Sequence, residues 1–86
     1  LGYFLNRSLP AIGLSPRDGE LIVSSRATPE LIERGLNLAE VMSHASGKCG
    51  GIGGGHAIAA GATVPLDAEE QFLAAADEQV AAQLGL

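Results

Sequence analysis

Gly50-Gly51-Ile52-Gly53-Gly54-Gly55-His56, running on into Ala57-Ile58-Ala59-Ala60-Gly61, is the stretch on which the fold turns. Six of the twelve glycines in the chain lie between Gly47 and Gly55. Glycine is costly to order and brings no side chain to a core, so a cluster this dense needs a physical reason. One reason is flexibility, the usual meaning of a glycine-rich run. The other is close approach: successive unhindered N–H groups form a concave nest for an anion, and His56 at its end offers a donor or a proton. The run is short, contains no Ser and leads straight into an apolar segment, which favours the anion cradle over the linker.

The segments on either side read as regular structure. Upstream, Thr28-Pro29-Glu30 is a helix start: Thr28 suits the cap, Pro29 the first helical position, and Glu30 the positive end of the dipole. Leu31, Ile32, Leu36, Ala39, Met42 and Ala45 recur at three- and four-residue spacing, which predicts one helix to about Ser46 with Gly35 inside it and Gly47 as its stop. Earlier still, Leu9–Leu14 and Glu20–Arg26 read as strands joined by the five-residue turn Ser15-Pro16-Arg17-Asp18-Gly19. Leu21, Ile22 and Val23 are consecutive apolar residues, which predicts a strand covered on both faces. Tyr3-Phe4-Leu5 is an apolar knot that fits either the last turn of a helix or an edge strand. Downstream of the glycines, Ala59–Val64 reads as a strand ended by Pro65. Asp67-Ala68-Glu69-Glu70 is a capping-box signature. Phe72, Leu73, Ala76, Val80 and Leu84 then form the apolar stripe of a last helix, with Asp77, Glu78 and Gln83 on its wet side. The order strand, strand, helix, glycine loop, strand, helix predicts an α/β fold, a small mixed β-sheet packed against α-helices, in a single domain over residues 1–86.

Composition bounds the rest. With two Phe, one Tyr and no Trp, the core must be aliphatic. The lone Cys49 excludes an internal disulfide framework and fits a reducing, cytoplasmic setting. The chain starts at Leu1 without a basic, apolar leader, and reads as a piece of a longer protein. Cys49 to Leu66 carries no charged residue, but its glycines, Pro65 and His56 make it too weakly apolar for a membrane span, so no membrane partner is expected. Ten acidic residues against five basic ones give a net charge of −5, and Lys48 is the sole lysine. Such a balance repels phosphate backbones in dilute buffer. It also matches surfaces adapted to high salt, where a Debye length of about 3 Å leaves only contact-range charge effective.

The usual catalytic patterns fail. No G-x-x-x-x-G-K-[ST] is present, since His56 follows the glycines, and no clean G-x-G-x-x-G follows a strand. His44, Cys49 and His56 match no common zinc spacing, which leaves Cys49 as a small buried thiol and His44 as a helix-surface residue. Ser24, Ser25, Ser43 and Ser46 lack a base-and-orienter set, and no carboxylate cluster suits Mg²⁺ or Mn²⁺. Arg26, at the end of a strand beside the Thr28 cap, either grips a phosphate bidentately or pairs with Glu30 or Glu33. The residues themselves point to anion binding without chemistry.

Gly53-Gly54-Gly55-His56, two residues, then Ala59-Ala60-Gly61 resembles the G-G-G-H-x-x-A-A-G signature of the DHH-associated (DHHA) domain, the C-terminal part of DHH-superfamily phosphoesterases. Ser24-Ser25-Arg26 matches the Ser/Arg strand of that family, and Arg34-Gly35-Leu36-Asn37-Leu38-Ala39 looks like its archaeal RecJ-type single-strand-specific exonuclease branch. The likeness spans about residues 20–84. It implies a substrate-binding domain in which Gly53, Gly54, Gly55 and His56 contact phosphate with Arg26 assisting. The same likeness implies a DHH catalytic lobe in the same chain, holding Mn²⁺ or Mg²⁺ through an Asp-His-His motif that these residues lack. This fragment would then bind without cleaving, and its partner would be single-stranded nucleic acid. Other family members imply alternatives: cleavage of short oligonucleotides or cyclic dinucleotides, or a noncatalytic RNA-binding appendage such as that of alanyl-tRNA synthetases. Three strands are legible, fewer than the resemblance implies.

Overall fold

A computed structural model of the chain describes residues 3–6 and 9–85, with side-chain surroundings from Pro10 onward. Five strands, β1 (Tyr3–Asn6), β2 (Leu9–Arg17), β3 (Glu20–Arg26), β4 (Ile52–Gly55) and β5 (Ala59–Pro65), form one sheet in the order β1-β2-β3-β5-β4. Helices α1 (Pro29–Glu33), α2 (Leu38–Lys48) and α3 (Glu69–Leu84) supply the second layer. The α/β arrangement of helices on a small sheet is as expected. Every strand pairing is antiparallel rather than mixed. The Tyr3-Phe4-Leu5 knot resolves as backbone of the edge strand β1, its side chains lying outside the described residues.

The β2–β3 hairpin is tighter than the sequence predicts. Ser15, Pro16 and Arg17 pair with Ile22, Leu21 and Glu20, so the turn contracts to Asp18-Gly19. Their φ values of 51° and 79° are both left-handed, the requirement of a two-residue turn whose twist matches the strands. Along β3 burial alternates strictly: Leu21, Val23 and Ser25 are buried, while Ile22, Ser24 and Arg26 are exposed. The expectation of a strand covered on both faces is therefore wrong. Helices lie over one face only, because the core unites Leu14, Leu21, Val23, Ala60, Ala62 and Val64 of the sheet with residues of all three helices.

The predicted single helix over residues 28–46 is two. Thr28 caps α1 as expected, accepting from the Leu31 N–H at 3.3 Å. The chain then reverses at Gly35, whose φ of 108° no L side chain adopts comfortably. A second cap, Asn37, restarts the helix by accepting from the Glu40 N–H at 3.3 Å. This new start is pinned from across the layer by Gln83, which the sequence reading left on the wet side of α3. Gln83 Oε1 accepts from the Asn37 N–H at 2.7 Å, and its Nε2 donates to the Asn37 carbonyl and to Glu40 Oε2, both at 3.3 Å. At the other end α2 runs through Gly47 to Lys48, and the left-handed glycine that follows its cap is Gly50, with φ 74°. Asp67 does not cap α3: Leu66–Ala68 winds into a 3-10 turn that buries Ala68, and α3 starts without a side-chain cap. Its stripe is as expected, with Phe72, Ala76 and Val80 buried. Fully burying Phe72 contributes about 1.5–3 kcal/mol of hydrophobic stabilisation.

Candidate functional site

The glycine cluster is a strand. Ile52–Gly55 forms β4 at the sheet edge, with Ile52, Gly53, Gly54 and Gly55 opposite Thr63, Ala62, Gly61 and Ala60. Consecutive N–H groups of an extended strand point in opposite directions, so the three glycines do not converge their amides on one anion. The nest that the sequence suggests is absent, and the reason for the glycines is different at each position. A Cβ on Gly53 would lie 2.6 Å from the Met42 carbonyl oxygen and 2.8 Å from Ser46 Oγ, so Gly53 is the surface on which α2 rests. On Gly55 it would lie 2.7 Å from the Cα of Ala60. On Gly54 it would meet nothing within 4 Å. Gly54 has open space where Gly53 meets α2 and Gly55 meets β5.

The register continues past Gly55. His56 and Ala59 exchange both backbone hydrogen bonds, at 2.8 and 3.2 Å, across the turn Ala57-Ile58. That turn is held from two sides: the Leu38 N–H at the start of α2 donates to the Ala57 carbonyl, and the Ala27 N–H next to Arg26 donates to the Ile58 carbonyl, both at 2.9 Å. Ala59 is in turn the partner of Arg26 on β3. Arg26, Ala59 and His56 thus form one cross-strand row on the uncovered face, and both outer residues are exposed. Two inter-strand steps separate the Arg26 and His56 backbones, about 10 Å, with only the small Ala59 between them. The next row along is Ser24, Gly61 and Gly54, and beyond it Ile22, Thr63 and Ile52. None of these residues is acidic. On that face of β3 the first acid is Glu20, six residues from Arg26 and so about 20 Å away. The strand rows from Ile22 to Arg26 on this face therefore carry no acid of their own.

The structure thus brings Arg26, Gly54 and His56 together on one face, sets Gly53 against α2, and leaves Gly55 exposed beside Ala60 of β5. Ser25, in the same motif, is structural: it is buried and donates to the Ala60 carbonyl at 2.7 Å. Ser46 is buried likewise, its Oγ donating to the Ser43 carbonyl at 3.2 Å. Cys49 is half-buried at the end of α2 rather than fully enclosed, and burial pushes its thiol up, so it is protonated at neutral pH. Among the described residues no three His, Cys, Asp or Glu side chains gather to hold a metal. No described helix is long and apolar enough to cross a membrane. The sequence reading missed Ile22, Ile52 and Thr63 as surface residues of the site. Only the strand register, which allocates faces, exposes them.

A helix-backed antiparallel sheet with an exposed Arg26–Ala59–His56 row on its uncovered face defines a domain of the α/β layer type. Compared with known families, residues 5–82 match the DHHA1 domain, and the chain belongs to that family. DHHA1 domains occur alongside DHH catalytic domains of phosphoesterases. A similar relative is an uncharacterized protein of Methanocaldococcus jannaschii, 40% identical over 75 residues. That alignment covers 87% of this chain and 17% of the relative, so the chain spans about a sixth of the length of the curated relative it matches.

Proposed function

We propose that this domain grips the phosphate backbone of a single-stranded nucleic acid and presents it to a DHH catalytic lobe, within an exonuclease of the RecJ-like branch. One observation carries the reading: Arg26 and His56, far apart in sequence, stand in one exposed row on either side of Ala59. A guanidinium and an imidazole at that separation donate to opposite oxygens of one phosphate group, in charge-assisted hydrogen bonds. Gly54 keeps the floor beside them clear. The catalytic metal ions, Mn²⁺ or Mg²⁺, would belong to the lobe, where they supply the activated water for phosphodiester hydrolysis. The residues described here bind and orient.

So local a grip needs no basic surface, and so few ionic contacts give only a shallow dependence of binding on salt. Substitution in the full-length protein tests the reading. His56→Ala is expected to lower kcat/KM on single-stranded substrate roughly 10- to 100-fold, the worth of one hydrogen bond to a charged group, with the unfolding transition unmoved. Near-normal turnover would sink the assignment. The ratio of rates on long strands and on dinucleotides separates the exonuclease from an oligonucleotide phosphodiesterase.

A further inference from the structure

We infer that the depression beside the Arg26–His56 row seats an unpaired nucleobase, with Ile52 as its apolar wall; this rests on the phosphate reading above. The depression has a volume of about 330 Å³ and lies between β4 and β5, lined by Ile52, Gly53, Gly54, Gly61, Ala62 and Thr63, of which Ile52, Gly54, Gly61 and Thr63 belong to the uncovered face. That is the lower end of the range for small-molecule sites. Ile52 is 77% exposed, more than any other large apolar side chain among the described residues, and Ile22 in the same row is 36% exposed. A branched apolar side chain on an edge strand invites mispairing with other chains, so so bare an Ile needs a use. Gly54 makes the complementary point. Gly53 is glycine because α2 leaves no room, whereas a Cβ on Gly54 would touch no neighbour, so packing does not explain it. What the missing side chain leaves open is the path between the basic row and Ile52.

The occupant follows from charge and spacing. Successive rows on one face lie about 7 Å apart, so the Ile22–Thr63–Ile52 row stands about 14 Å from the Arg26–Ala59–His56 row. The basic end selects an anion. The far end is uncharged and apolar, with the Thr63 hydroxyl as its polar group. A strand with a phosphate at one end and the flat, weakly polar ring of the neighbouring nucleotide at the other fits these two ends, whose separation exceeds the reach of a single nucleotide. Only an unpaired base offers its ring face to a side chain in this way, so the seat selects single strands by shape. Contact through an aliphatic side chain tolerates any base.

The test measures binding of the full-length protein, with divalent cations chelated so that nothing is cleaved, to a fluorescent short oligothymidylate and to its abasic counterpart. Ile52→Ala is expected to weaken the oligothymidylate about fivefold, the low end of base-stacking contributions, and to leave the abasic strand unchanged. Gly54→Val, which fills the path, is expected to do the same. His56→Ala should weaken both strands alike. Equal weakening of both strands by Ile52→Ala would overturn the base seat and mark Ile52 as a docking contact for the catalytic lobe. A changed sedimentation coefficient in that variant would assign the face to a second copy, and no change on either strand would leave Ile52 without a ligand. Should His56→Ala leave both strands unmoved, the phosphate reading falls separately, while the base seat still stands or falls on the ratio of the two strands.

Discussion

The two faces of the sheet are built from the same strands and carry opposite kinds of residue. Toward the helices β3 and β5 present Leu21, Val23, Ala60, Ala62 and Val64, all buried; away from them they present Ser24, Arg26, Ala59, Gly61 and Thr63. On β4 the contrast narrows to neighbours, with Gly53 against Met42 and Gly54 against open space. The lesson is that packed and free positions are interleaved residue by residue along these strands. A glycine motif quoted as a unit mixes both.

Substitutions on each face should separate the two. The largest effect belongs to the packed side: Phe72→Ala empties a site with no exposed surface and is expected to cost about 3–5 kcal/mol in urea unfolding. Gly53→Ala follows, at about 1–3 kcal/mol, because its Cβ would press on the Met42 carbonyl and α2 must shift. A Gly53→Ala variant as stable as the parent would show that α2 does not rest on β4. The smallest is Gly54→Ala, one residue along, which should move stability by no more than about 0.5 kcal/mol in either direction. If it destabilised as much as Gly53→Ala, the division between the faces would be lost.

Much of the fold was legible in the sequence because local chemistry dictates it. Asp18-Gly19 is a hairpin turn on any scaffold, Thr28-Pro29-Glu30 is a helix start, and the stripe from Phe72 to Val80 is periodic. What was illegible depends on partners distant in the chain. The three glycines of Ile52-Gly53-Gly54-Gly55 lack strand propensity; the segment is a strand because β5 pairs with it and α2 lies over it. The break at Gly35 was legible in principle, since Asn37 followed three residues later by Glu40 is itself a helix start. The apolar spacing masked it by running on through both helices. At the site, Arg26 and His56 were singled out from the sequence, but their shared row exists only through Ala59, which pairs with both. Ile52 and Thr63 could not be assigned, because Leu21-Ile22-Val23 reads as buried on both sides until one face proves bare.

One contact away from the site has a bearing on where this domain ends. The side chain of Gln83 acts as a borrowed peptide group, pairing with both polar atoms of the Asn37 backbone. The next residue, Leu38, holds the turn that carries His56. The stretch by which the family is recognised stops at residue 82, one short of that glutamine. A chain cut there would keep every signature residue and lose the brace at the start of α2. The cooperative unit therefore reaches further than the recognisable one, into the last turn of α3.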